Sequence, residues 1–100
     1  RRFACEDEKG KEAEMYFFKP KAHPRPYSLY SRGMSHYRKD NVIELGTLVI
    51  NACWLDGDPR FRDVDNMLHI SAALSLSNEM DFTLGTTSST STESSESSQG

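Results

Sequence analysis

Apolar and polar side chains alternate along residues 68–77. Leu68, Ile70, Ala72, Leu74 and Leu76 fall in one phase, and His69, Ser71, Ala73, Ser75 and Ser77 in the other. Period two sustained over ten residues predicts a half-buried strand. On this reading a helix scatters the five apolar side chains around its circumference and turns Ser71 and Ser75 inward. Ala and Leu favour helix intrinsically, so a helix over 63–80 is the alternative. Met80, Phe82 and Leu84 alternate with Asp81 and Thr83 and predict a second strand. A three-residue loop, Ser77-Asn78-Glu79, keeps both apolar rows on one face, whereas a two-residue turn sets them on opposite faces. Asn78 suits the loop position that needs positive φ.

Upstream, Thr47–Leu55 (TLVINACWL) is apolar in both phases and reads as a central strand covered on both sides. Gly46 separates it from Val42–Leu45, Asp56-Gly57 ends it in a turn, and Pro59 blocks continuation. Ala13, Met15 and Phe17 alternate with Glu12, Glu14 and Tyr16, a further strand. Between them, the prolines of Lys19–Pro26 (KPKAHPRP) impose an extended path. Four or five strands and no internal repeat predict a mostly-β fold, a small antiparallel sandwich or partial barrel. The alternative is α+β with residues 63–80 helical.

Composition sets the boundaries. Residues 83–100 hold a single aliphatic side chain, Leu84, and twelve Ser or Thr among eighteen residues. Such a segment buries too little apolar surface to offset chain entropy, so a disordered tail is expected there. The remaining 1–82 reads as one small domain, with 1–11 frayed at its start. The opening residues lack the apolar core of a signal segment. The richest apolar stretch, Val42–Leu55, is too short to span a bilayer and contains Glu44 and Asn51. A soluble chain is expected, and no compartment is assigned.

Charge is segregated. Residues 15–39 carry Lys19, Lys21, Arg25, Arg32, Arg38 and Lys39 and no carboxylate, whereas 40–100 carry ten carboxylates against Arg60 and Arg62. Tyr16, Phe17, Phe18, Tyr27, Tyr30 and Tyr37 are interleaved with the cations. Cations that neutralise phosphates beside flat rings that stack on bases are what a nucleic acid or other polyanion requires. The candidate set is Lys19, Lys21, Arg25, Tyr27, Tyr30, Arg32, Tyr37, Arg38 and Lys39. A competing expectation is that this basic stretch packs against the acidic half of the same chain. In the tail, Thr90, Ser91 and Ser94 precede carboxylates in the pattern of acidophilic kinase sites.

Other chemistry is sparse. Cys5 and Cys53 follow no metal spacing, and a bridge between them would close a loop of nearly fifty residues, worth about 4 kcal/mol in the chain-entropy model. Asp56, Asp58, Asp63 and Asp65 are calcium candidates, although Arg60 and Met67 stand where an EF-hand needs oxygen ligands. His23, His36 and His69 show no zinc spacing, and His69, in the polar phase of its strand, is expected at the surface. Cys53 lies in the most apolar segment, where burial blunts a thiol. No phosphate-cradling glycine loop occurs. Neither catalysis nor a cofactor is expected.

Tyr16–Pro26 (YFFKPKAHPRP) resembles the segment after the last barrel strand in the largest capsid protein of enterovirus-type picornaviruses. That segment runs approximately YFKPKH, a short aromatic insert, then PRP. Tyr16, Lys19-Pro20-Lys21 and Pro24-Arg25-Pro26 carry the likeness; here Ala22 precedes His23 and the insert is missing. The resemblance implies a jelly-roll remnant in a shell. A small core, strands with open edges and a segment 47–55 apolar on both faces make the leading functional expectation a non-enzymatic structural or protein-interaction β-module within a larger assembly, partnered by another protein or a second copy. Polyanion binding through 16–39 is the alternative.

Overall fold

A computed structural model of the chain describes residues 1–82. Leu84, the Ser/Thr-rich tail and the candidate phosphosites Thr90, Ser91 and Ser94 lie outside the described residues. The elements run β1 (Arg2–Glu6), β2 (Glu12–Phe17), a 3-10 turn (Pro20–Ala22), α1 (Pro26–Arg38), α2 (Val42–Cys53), β3 (Trp54–Gly57), a second 3-10 turn (Pro59–Arg62), α3 (Met67–Leu76) and a third (Ser77–Glu79). Among the described residues helix accounts for 55% and strand for 18%, so the expected mostly-β sandwich or barrel, and with it a jelly roll, is corrected to three helices beside a small sheet.

The sheet is antiparallel in the order β1-β2-β3. In β2 the period-two signal holds: Ala13, Met15 and Phe17 point into the core, while Glu12, Glu14 and Tyr16 face outward or lie at the margin. Arg2 pairs with Glu12 and Glu14 on the outer face, so the start of the chain, expected to fray, is a strand in register from Arg2↔Tyr16 to Glu6↔Glu12. The Pro-rich segment is extended at Lys19 and His23 but tightens into a 3-10 turn at Pro20–Ala22.

The largest departure concerns 47–55 and 68–77. The first lies mostly in α2, whose buried side is Leu45, Gly46, Val49, Ile50 and Cys53, a three- and four-residue spacing. The second is α3, inside the span that the alternative reading made helical. Its inward residues are Leu68, His69, Ala72, Ala73 and Leu76, while Ser71 and Ser75 face solvent, opposite to the expectation that a helix would bury them. Asn66 starts α3 by accepting the Leu68 N–H at 2.9 Å, a side-chain cap. With Ser77–Glu79 helical rather than a hairpin loop, Met80 enters the core from a helix end.

α2 and α3 cross at glycine. A Cβ built on Gly46 would lie 1.9 Å from the carbonyl oxygen of Ala73 and 2.5 Å from its Cα. Two backbones therefore meet with no side chain between them, and Ala72 and Ala73, both fully buried, line the other side. The sequence-based reading of Gly46 as a break is corrected: it stands inside α2 because only hydrogen fits. From this seam the apolar cluster spreads to Met15 and Phe17 of the sheet, Leu29 of α1 and Phe61 of the second 3-10 turn.

Two opposing effects make Gly46→Ala decisive. Helix propensity alone favours alanine by about 1 kcal/mol, whereas overpacking costs about 1–3 kcal/mol or more. Because the obstructing atoms are backbone, the clash wins. Urea denaturation should show a lowered midpoint for Gly46→Ala; an unchanged or raised midpoint would contradict the crossing.

Candidate functional site

The nine candidate polyanion-binding residues gather on α1 and the turn before it. Pro26 occupies the first helical position, where its missing N–H is harmless. The preceding Arg25 donates its N–H to Nδ1 of His23 at 2.8 Å, and Phe18 packs its ring beside His23 at 6.0 Å. No carboxylate lies in the first turn, so the positive end of the helix dipole adds to Lys19, Lys21 and Arg25. Leu29 and Gly33 face inward. A Cβ on Gly33 would lie 2.9 Å from Met80 Cε and 3.0 Å from the Phe82 ring, so this glycine draws the end of the described chain against α1.

Lys19, Lys21, Arg25, Arg32, Arg38 and Lys39 are all exposed. None has an ion-pair partner among the described residues, whose ion pairs all involve other groups. Among the described residues, the expected neutralisation by the acidic half of the chain is not found. Arg1 pairs with Glu79, and Arg60 with Asp7 and Asp58. The Arg60 guanidinium, with a backbone N–H from the same residue, holds the Asp58 carboxyl below its ordinary range. At 100° per residue, Arg25, Arg32 and Lys39 fall within about 40° of one line along the helix.

The aromatic residues divide. Phe17 is core and Tyr16 lies on β2. Tyr27, Tyr30 and Tyr37 stay with the cations: Tyr27 is 90% exposed, and Phe82 lies 5.7 Å from the Tyr30 ring and 4.8 Å from the Tyr37 ring. Phe82, assigned by the alternation to a strand, thus joins the helix surface; no signal in its sequence neighbourhood foretold this. The Tyr30 hydroxyl is buried without a hydrogen-bond partner among the described residues, and burial raises its pKa.

The four aspartates do not assemble. Asp56 accepts the Gly57 N–H, Asp63 the Asp65 N–H, and Asp58 is engaged by Arg60. Among the described residues no group of three or more His, Cys, Asp or Glu is placed to hold a metal ion. Cys5 and Cys53 are free thiols, the first half-buried and the second buried.

Sequence reasoning missed one polar cluster. His69, expected at the surface, is only 2% exposed. Its Nδ1 lies 2.7 Å from the Phe61 carbonyl and its Nε2 2.8 Å from Thr47 Oγ1. A carbonyl only accepts, so Nδ1 carries a proton. Thr47 has one proton to divide between Nε2 and the Ile43 carbonyl, 2.8 Å away. His36 and Glu44, 3.6 Å apart, line the same groove of about 510 Å³. A hydroxyl beside an oriented imidazole resembles an activated nucleophile. Thr47, however, stands inside α2, where helical hydrogen bonding commits the nearby N–H groups and supplies no oxyanion hole. The cluster ties α2, α3 and the second 3-10 turn together.

Comparison of the chain with protein-family models, curated proteins and solved structures finds no match. No helix among the described residues is long and apolar enough to cross a membrane.

Burial pushes the Cys53 thiol from 9.0 up to about 11. The unfolded chain loses this proton first, so the thiol's contribution to stability is whole below pH 9 and is lost as pH rises through 11. The destabilisation caused by Cys53→Ala, measured by urea denaturation, should therefore shrink across that window. A penalty constant with pH would contradict burial of the neutral thiol.

Proposed function

We propose that this chain binds polyanions through α1 and the turn leading into it. One observation carries the reading: six exposed cations along this surface have no ion-pair partner among the described residues. Exposed cations of this kind attract an anion that can release its own counterions, and such binding is driven by that release. The net charge of −3 does not oppose it locally. At physiological salt fields are screened within about 8 Å, while α1 spans about 20 Å.

For a single-stranded polyphosphate the logarithm of affinity falls with the logarithm of salt by about 0.7 per phosphate engaged. Six engaged cations give a slope of about −4 by the same relation. Arg32→Ala and Lys39→Ala should each flatten the slope by about 0.7, read by fluorescence anisotropy across a salt series. Affinity indifferent to salt, or intact after combined alanine substitution at Arg25, Arg32 and Lys39, would remove the reading.

A second reading, contact with a protein partner or second copy, is favoured by the outer side of α3. Met67 is 71% exposed and Leu74 49% exposed, with half-buried Ile70 on the same strip. Light scattering should then show a concentration-dependent mass that Leu74→Glu abolishes. A monomer at every concentration would exclude self-association.

A further inference from the structure

We infer that the polyanion is a single-stranded nucleic acid, and that the groove beside α1 receives one of its bases. The inference rests on the polyanion reading above and names the ligand's class from a different feature. The groove, about 790 Å³, is lined by Tyr27, Tyr30, Met34 and Phe82 together with Arg38 and Lys39. Its volume falls in the range of small-molecule pockets. One lining offers planar rings and a thioether; the other offers two cations at the helix end. That pairing matches a nucleotide unit, a flat apolar ring joined through a sugar to a phosphate.

The helix geometry explains how a chain of such units would lie. Arg25, Arg32 and Lys39 form one exposed row, about 10.5 Å between successive members. Tyr27, Met34 and Arg38 line the groove at seven- and four-residue steps and share a face about 140° around the helix from that row. Lys39 belongs to both. The row and the groove meet only at the C-terminal end of α1, where a strand whose phosphates engage Arg38 and Lys39 can turn one base into the groove.

Tyr27 is the residue hardest to account for without a ligand. It stands nearly bare at the groove while Phe82 is held against Tyr30 and Tyr37. A stacking platform needs an exposed ring face in this setting. Base pairs in a duplex are stacked and enter a groove only if extruded, so a single strand is the form that fits. A phosphorylated lipid headgroup supplies the charge but no planar ring.

The full 100-residue chain is titrated with an oligothymidylate and with an abasic sugar-phosphate chain of equal length, at one salt concentration, by fluorescence anisotropy. The base-bearing strand should bind about tenfold more tightly, or 1.4 kcal/mol. Tyr27→Ala, at a site too exposed to disturb folding, should abolish the difference while leaving affinity for the abasic chain and its salt slope unchanged. Equal, salt-dependent binding of both strands would overturn the base pocket and leave polyanion binding standing. Binding of neither would overturn both. Tighter binding to phosphoinositide-containing vesicles than to the thymidylate would overturn the nucleic-acid assignment in favour of a lipid headgroup.

Discussion

The close passage of α2 over α3 at Gly46 governs the rest of this small fold. Chain entropy opposes folding by about 1–2 kcal/mol per residue for the backbone alone, and a domain of this size has little apolar area with which to offset it. Bringing two helical backbones to glycine distance lets Leu45, Val49, Ile50 and Cys53 join Leu68, Ala72 and Leu76 in one apolar cluster, and all seven are buried. Dispersion and solvent exclusion both fall steeply with separation, so even one methyl group at this seam would loosen both flanks. The sheet then needs to cover only one side of the helical pair. Three short strands suffice, with Met15 and Phe17 entering the core from β2.

That arrangement leaves α1 with a light structural duty. Only Leu29 and Gly33 are buried along its thirteen residues, and its outer surface is free to carry cations and tyrosines. Elsewhere several charges pair within the chain. Arg60 bridges Asp58 and Asp7, and Asp7 also accepts the N–H groups of Lys11 and Lys9. Its carboxyl is held below the ordinary range first by the Lys11 N–H. The cations of α1 and the turn before it stay exposed, without ion-pair partners among the described residues, and the groove ending at Phe82 sets ring faces beside them.

How much of this could be read from the residues depends on parity. β2 was legible because Ala13, Met15 and Phe17 share a phase that no helical row reproduces. α3 was not, because Leu68, Ala72 and Leu76 lie four apart and so also share parity: a helical row nests inside a period-two pattern. The distinguishing residues were Asn66, a cap, and Ala73, a small side chain in the supposed polar phase. α2 is not legible because an apolar run has no periodicity of its own, and Gly46 reads as punctuation instead of a contact. The charge map survived the change of fold because lysine and arginine are almost never buried unpaired. The aromatic half survived only in part, since Phe17 went to the core while Phe82 came to α1 from outside the basic segment. The buried Thr47–His69 link was invisible, since it depends on which face of α3 turns inward.

The measurement that bears most directly on α1 as the anion-binding surface is an amide-resolved NMR titration of the isotopically labelled chain with an oligothymidylate. The account places the largest chemical-shift changes at residues 19–39 and at Phe82, with the β1 and β2 amides unmoved. Changes centred on the sheet or on α3, or spread evenly over the chain, would contradict it.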